Sequence, residues 1–125
     1  MNKKTTGTVS TGWEISGITL TLDLENADDV ERYENAFEKM AAEEAQIAKD
    51  SKKSVQIRAY CALYRNLFDN IFGAGTSDKI FADAPMNAAA YEDVYDSFLD
   101  YVRGQTDAAA KRRAERFGKY TPKKK

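Results

Sequence analysis

The chain has 125 residues, of which 42% are hydrophobic and 31% are charged, and these values are typical of a single globular domain. No histidine is present, which removes the commonest general base and transition-metal ligand and disfavours the enzyme classes that depend on them. No apolar run approaches the roughly 18 residues of a membrane span, and the first twelve residues lack the apolar core of a secretory signal. We therefore expect a cytoplasmic protein.

The net charge of −1 conceals a strong segregation of charge along the chain. Residues 25–50 carry nine acids and three bases, whereas residues 111–125 carry eight bases and one acid. Opposite charges in two segments of one chain favour charge-guided pairing with another protein, with a second copy or with nucleic acid.

Residues 1–8 are small and polar, and we expect them to be flexible. The residues that follow alternate apolar and polar side chains on both sides of Ser16-Gly17. That alternation predicts a β-hairpin with a two-residue turn, in which the large apolar side chains share one face. The pairs expected in this register are Ile15 with Ile18, Trp13 with Leu20, Thr11 with Leu22 and Val9 with Leu24. A hairpin is marginal alone, so we expect this face to pack on helices.

A first amphipathic helix is predicted after the hairpin, with Asp28 as its N-cap and Glu31 in the capping-box position. Its apolar positions recur at helical spacing and are Val30, Tyr33, Phe37, Met40 and Ile47. Glu44 interrupts this stripe, so we expect the distal half of the helix to protrude or to meet a partner. Most of the other acids of this segment are expected to face solvent.

The densest apolar stretch, residues 63–81, is predicted to form the core. A second long helix is expected over residues 54–72, with the serine at its first position as the N-cap. Gly73 is expected to end that helix, because glycine accepts a positive φ without a steric penalty. Thr76 or Ser77 is then expected to cap a short helix.

Asn87 is predicted to cap a third long helix, whose apolar face continues to Val102 and whose end is expected at Gly104. We expect residues 106–125 to form a basic helical extension that fades into a disordered tail. Residues 9–105 are then the single globular domain. The predicted fold class is mainly α (α+β), with an N-terminal β-hairpin packed on a bundle of three long helices and one short helix.

The sequence offers few candidates for chemistry. Asp93, Asp96 and Asp100 share one helix face and carry oxygen ligands for a divalent cation, but such a row is more often the solvated side of an amphipathic helix. Cys61 lies on an apolar stripe and is predicted to be a buried structural thiol. We therefore predict no catalytic residue, no metal site and no cofactor.

The candidate partner-binding residues fall into two groups. Three tyrosines lie on or beside the apolar stripes and suit a partly wet interface; they are Tyr60, Tyr64 and Tyr101. The second group combines cations with an aromatic side chain and consists of Lys111, Arg112, Arg113, Arg116 and Phe117. This group suits either phosphates with stacked bases or an acidic protein surface. A recognisable nucleic-acid-binding motif does not accompany it, which disfavours nucleic acid.

Several phrases of the sequence point to one class of small proteins. They are WEISG at residues 13–17, LDL at residues 22–24, LFDNIFGAGT at residues 67–76, the pair Ile80-Phe81, and Tyr91, Tyr95 and Phe98. Over residues 13–102 the chain resembles the tail assembly chaperones encoded in the tail modules of phages and prophages of Gram-positive bacteria. The resemblance implies a non-enzymatic protein that binds the tape measure protein and the tail tube protein of the same phage. It also implies that the protein is absent from the mature virion.

Two alternatives remain open on the sequence. The acidic first helix is compatible with a phage-encoded inhibitor of a host or defence factor, in which the carboxylates would mimic nucleic acid. The basic residues 111–120 are compatible with a nucleic-acid-binding accessory protein, whose affinity would fall steeply with salt.

Overall fold

The elements follow the predicted order along residues 12–120, which are the residues that the computed structural model describes, with only the backbone described at positions 119 and 120. They are β1 (Gly12–Ile15), β2 (Ile18–Thr21), α1 (Ala27–Ala45), α2 (Lys53–Phe72), α3 (Thr76–Ile80) and α4 (Ala88–Tyr120). This order confirms the mainly α fold with a small antiparallel hairpin, three long helices and one short helix. The expectations for residues 1–11 and 121–125, a flexible start and a disordered end, lie outside the described residues.

The hairpin has the predicted register. The observed pairs are Gly12 with Thr21, Trp13 with Leu20, Glu14 with Thr19 and Ile15 with Ile18. The other two expected pairs involve Val9 and Thr11, which lie outside the described residues. Ser16 has a φ of 52° and Gly17 a φ of 78°, and positive values at both central positions are what a tight two-residue hairpin turn requires.

The apolar face of the hairpin packs on α2 and α4, as expected. Trp13 is only 4% exposed, and its indole Nε1 donates a hydrogen bond to Ser97 Oγ on α4 at 3.0 Å. Its ring centroid lies 5.4 Å from that of Phe68 on α2 and 5.3 Å from that of Phe98 on α4. The tryptophan therefore joins the sheet to both long helices and satisfies its own N–H in doing so.

The centre of the core comes from α2, in agreement with the prediction for residues 63–81. The buried residues of this helix are Cys61, Leu63, Tyr64, Leu67, Phe68 and Ile71. Phe81, just after α3, stacks on Tyr91 of α4 with ring centroids 3.9 Å apart. Cys61 is fully buried, and burial raises the pKa of its thiol, which fits the predicted structural role.

The N-cap predictions are confirmed at one helix and wrong at the three others. Asn87 Oδ1 accepts a hydrogen bond from the Ala90 N–H at 2.8 Å, which confirms the cap of α4. Helix α1 is capped by Asn26, not by Asp28, because the helix begins two residues earlier than the capping-box pattern indicated. Helix α2 begins after Lys52, whose side chain makes no capping bond.

The short helix α3 is capped by a residue from another element. The carboxylate of Asp69, in the last turn of α2, accepts hydrogen bonds from the Ser77 N–H at 2.7 Å and from the Ser77 hydroxyl at 3.1 Å. Gly75, with a φ of 90°, is the residue before the helix and has no side chain to cap it. The predicted caps, Thr76 and Ser77, are therefore inside α3, and the tertiary contact from Asp69 replaces a local one.

Helix α4 does not end at Gly104, which corrects the expected end of the third long helix. It runs without interruption for 33 residues, a length of about 50 Å. Glycine inside a helix costs only about 1 kcal/mol relative to alanine, and anchored residues follow it here. The side-chain amide of Gln105 donates to the Leu22 carbonyl at 2.6 Å and accepts from the Leu24 N–H at 3.0 Å, and Ala109 is 8% exposed. These contacts hold the helix against the hairpin beyond the predicted boundary.

Candidate protein-binding groove and basic helix end

An aromatic groove lies where α1, α2 and α4 meet. One part has a volume of about 300 Å³ and is lined by Phe37, Met40, Ala41, Glu44, Tyr60, Leu63, Tyr64 and Tyr95. The other part, of about 240 Å³, is lined by Ile47, Lys53, Gln56, Ile57 and Tyr60. Because both parts share Tyr60, we treat them together as the aromatic groove. Two of the sequence-predicted partner residues, Tyr60 and Tyr64, therefore lie in one site.

Helical spacing explains why these side chains share the groove. Phe37 and Met40 are three residues apart on α1, and Tyr60 and Tyr64 are four residues apart on α2, so each pair projects from one face of its helix. Tyr95 completes the groove from α4, and its ring centroid lies 5.0 Å from that of Tyr64. The groove is thus built from regular helices, which hold its walls in fixed positions.

Three carboxylates surround the aromatic floor. Glu44 lines the groove from α1, and Glu92 on α4 accepts a hydrogen bond from the Tyr60 hydroxyl at 2.6 Å. The pKa of Tyr64 is raised, mainly by burial and further by the nearby charges of Glu92, Asp96 and Glu44. Glu92 and Asp96 are four residues apart on one face of α4, so together with Glu44 they make the rim negative beside Tyr64, whereas Lys53 lines the other part of the groove.

A chain of hydroxyl groups fixes the two tyrosines of α2. The Tyr64 hydroxyl donates to the Tyr60 hydroxyl at 2.7 Å, and the Tyr60 hydroxyl donates to Glu92. Burial raises the pKa of Tyr60, and its bonds to Glu92 and Tyr64 raise it further. Both hydroxyls therefore remain protonated at neutral pH and hold their rings in place instead of acting as bases.

A second, more polar cleft lies on another side of α1. It has a volume of about 430 Å³ and is lined by Asp28, Glu31, Arg32, Asn35, Ala36, Lys39 and Asn70. One of its two cations is already engaged, because Arg32 Nε donates to the Ile71 carbonyl at 2.7 Å and Arg32 also pairs with Asp29 at 3.2 Å. Arg32 thus takes part in the packing of α1 on α2, and the residues that line this cleft include none of the aromatic side chains of the groove.

The second group of predicted partner residues lies at the distal end of α4. Every side chain of residues 110–118, which we call the basic helix end, is exposed, including Lys111, Arg112, Arg113 and Arg116. Phe117 is 61% exposed, the largest exposed fraction among the large hydrophobic side chains of the described residues. The structure therefore does not bring this group together with Tyr60 and Tyr64.

One acid ties the basic helix end to the body of the protein. Glu25, between β2 and α1, pairs with Arg112 at 3.3 Å and also accepts a short hydrogen bond from Arg113. The bond from Arg113 is the main cause that lowers the pKa of Glu25 below its usual value. All three side chains are exposed, so this is a surface contact that orients the helix and adds little stability.

The side chains on the inward stripe of α4 change from buried and mainly apolar to cationic along the helix. On the body of the protein the stripe is formed by Tyr91, Phe98, Gln105 and Ala109, all of them buried. The same helical spacing continues to Arg112, Arg113 and Arg116. Where the helix leaves the core, its inward face thus becomes cationic.

Tyr101, the third predicted partner tyrosine, has a different place. Its hydroxyl donates to the Leu22 carbonyl at 3.0 Å and accepts from the Leu22 N–H at 3.3 Å. Together with Gln105, it forms the hydrogen bonds of the Leu22 backbone, where the chain leaves the hairpin. We therefore assign Tyr101 to the fold and not to the aromatic groove.

Sequence reasoning did not identify the acids of the site as a group. Glu44 was signalled by its interruption of an apolar stripe, but Glu92 and Asp96 belong to another helix and looked like ordinary solvated residues. Their proximity depends on the packing of α4 beside α2, which no local pattern encodes. No local pattern predicted the role of Glu25 either, because its contact with α4 also depends on packing.

Within residues 12–120 the acids and the thiol form no cluster of three or more that suits a metal ion. Of the three aspartates considered for a cation, Asp100 pairs with Arg103 at 3.1 Å. In the same part of the chain, none of the helices combines the length and the apolar character that crossing a membrane requires.

Comparison with known proteins gives one match. Residues 16–125 match the model of a family described as a family of unknown function, DUF6673. No curated protein and no solved structure matches the chain.

Proposed function

The chain belongs to the DUF6673 family, and we propose that it is a non-enzymatic tail assembly chaperone that binds the tape measure protein and tail tube subunits during phage tail assembly. The class of function comes from the resemblance of residues 13–102 to such chaperones. The way in which it acts comes from the aromatic groove, which is the observation that supports the proposal most strongly.

The groove suits the apolar face of an amphipathic helix. Its floor offers flat and flexible apolar side chains, including Met40, Tyr64 and Tyr95, and methionine and tyrosine adapt well to varied partners. A long, aggregation-prone client, as the resemblance implies for the tape measure protein, exposes apolar surface before it is assembled. Covering one of them in the groove keeps the client from aggregating, because the exposed apolar surface is removed from water.

The acidic rim selects among such helices. Glu44, Glu92 and Asp96 favour a client helix with basic residues flanking its apolar face, and they repel acidic helices. Charge at the rim changes mainly the association rate and the salt dependence, while the apolar floor supplies most of the affinity.

The basic helix end favours a protein partner over nucleic acid. Arg112 and Arg113 already bind the carboxylate of Glu25 within the chain, which leaves Lys111 and Arg116 as the other described cations of this segment. Glu25 neutralises part of the charge of Arg112 and Arg113, which weakens the attraction of this segment for the many phosphates of a nucleic acid.

Co-expression with the tape measure and tail tube proteins of the same phage tests the proposal. We expect the chain to keep the tape measure protein in the soluble fraction and to co-purify with it at moderate salt. Tyr60→Ala removes the side chain shared by both parts of the groove and should weaken co-purification. Val55→Ala is the matched control, because Val55 is on the same helix, is 50% exposed and lies outside the groove lining. A tape measure protein that is equally insoluble with and without the chain would contradict the proposal.

A further inference from the structure

The two charged surfaces of the chain are complementary in more than charge. The aromatic groove has an apolar floor and a rim of Glu44, Glu92 and Asp96. The basic helix end is a helix that carries Arg116 and the 61% exposed Phe117 next to each other. A cationic helix with an aromatic anchor is the kind of ligand that such a groove accepts.

The basic helix end cannot reach the groove of its own chain. Asp96 on the rim and Arg116 are both in α4, 20 residues apart. Because an α-helix rises 1.5 Å per residue, about 30 Å of continuous helix separates them. The contact between Glu25 and Arg112 also fixes the end on the hairpin side. Only a second molecule can bring the two surfaces together.

We propose that the basic helix end of one copy docks in the aromatic groove of a second copy. Arg116 then approaches the rim acids, and Phe117 covers part of the apolar floor. The acids of the groove attract this segment in particular, since residues 111–120 carry five bases and one acid.

Docking also covers side chains that are exposed at the distal end of the helix. Every side chain of residues 110–118 is exposed, and a short helical segment that buries little surface is marginal in water. Packing against a groove supplies the tertiary contacts that stabilise most helices in proteins. Glu25 orients the segment before docking and so reduces the conformational entropy that is lost when it docks.

The proposed interface is heterologous, because the two copies contribute different surfaces. After one contact forms, the first copy still has an open groove and the second still has an open helix end. Such contacts produce a closed ring or an open chain of copies, depending on the rotation between neighbours. The inference concerns the purified protein alone, so it stands or falls independently of the proposed tail assembly function.

The test is self-association of the full chain, measured by sedimentation velocity over a range of micromolar concentrations at low and high salt. We expect association that weakens as salt rises. The groove variant E44K/D96K and the helix variant R116E should each weaken association by about tenfold or more, because like charges then face each other. Circular dichroism of each variant verifies that the fold is retained.

Two matched controls reverse charges outside the proposed contact. E14K/D83K reverses two exposed acids outside the groove lining and changes the net charge as much as E44K/D96K does, and K79E reverses an exposed base of α3. Both should associate as the unmodified chain does. If they weaken association as much as E44K/D96K and R116E do, net charge and not this contact is responsible, and the proposal is wrong.

A mixing experiment separates the proposed contact from any other. An equimolar mixture of the E44K/D96K chain and the R116E chain should associate again, because the intact helix end of the first fits the intact groove of the second. A mixture that remains monomeric overturns the proposal. So does an unmodified chain that is monomeric at every concentration, or one whose association none of these substitutions changes.

Discussion

The two ends of α4 have the same secondary structure and opposite surroundings. Between Tyr91 and Ala109 the inward stripe is buried against the hairpin and α2, whereas residues 110–118 have no buried side chain. The change occurs within three residues, between Ala109 and Arg112. The comparison separates two roles of one helix: its first part stabilises the fold, and its last part presents charge to a partner.

The largest expected difference between the two parts is the loss of stability when a phenylalanine in each is replaced by alanine. Phe98 is fully buried against Trp13 and Phe68, and Phe98→Ala should lower the free energy of unfolding by about 3–5 kcal/mol. Phe117→Ala, in the exposed part, should change it by less than about 0.5 kcal/mol. Urea unfolding followed by circular dichroism measures both. Equal losses would show that the distal part is also packed in solution.

Gln105 marks the limit of the packed part, and its loss is expected to have an intermediate effect. Gln105→Ala leaves the Leu22 carbonyl and the Leu24 N–H without their side-chain partner, which should cost about 1–3 kcal/mol. Gln46→Ala, at the exposed C-terminal end of α1, removes the same side chain with little expected effect on unfolding. If the two variants unfold alike, Gln105 is not the anchor that carries the helix past Gly104.

Glu25 controls the orientation of the exposed part without contributing much to stability. Glu25→Gln should weaken the contact with Arg112 and Arg113 and speed amide exchange in residues 110–118, with a nearly unchanged urea midpoint. The pKa of Glu25 is lowered, chiefly by its bond to Arg113. The contact is therefore complete above the ordinary glutamate pKa of about 4.3 and is lost as pH falls through the lower folded-state value. Unchanged protection factors in the variant would contradict this role.

A modest effect that grows at alkaline pH is expected for the hydroxyl chain beside the groove. Tyr60 has a raised pKa, caused first by burial, so the stability that it contributes is complete below about pH 10 and is lost as pH rises through its folded-state value. Tyr60→Phe should cost about 1 kcal/mol at neutral pH. It should also reduce the further loss of stability that begins as pH rises above about 10, measured by urea unfolding. If both proteins lose the same stability at alkaline pH, that loss arises from other tyrosines.

Local patterns were sufficient to predict the hairpin and the core. Alternation about Ser16-Gly17 fixes the strand register, because a shift of one residue would turn Trp13 away from the helices. The apolar spacing of α2 likewise identifies Leu67, Phe68 and Ile71 as buried. In both places the local preference and the tertiary environment agree.

The prediction was wrong where a distant residue determines the local structure. Gly104 is a reasonable end signal, but Gln105 binds a backbone more than 80 positions away in sequence and keeps the helix intact. Asp69 caps α3 from the preceding helix for a similar reason. The aromatic groove could be predicted only in part, since Tyr60 and Tyr64 lie on one helix whereas Glu92 joins them through packing.

The central claim is that the aromatic groove receives a basic helix, and one measurement tests it most directly. A nitroxide label is attached to a Lys111→Cys chain, where Cys61 is buried and does not react, and this chain is mixed with isotope-labelled, unmodified protein. The account predicts broadened amide signals at Met40, Tyr64 and Tyr95 of the isotope-labelled copy. Broadening confined to another surface, or none at all, would contradict it.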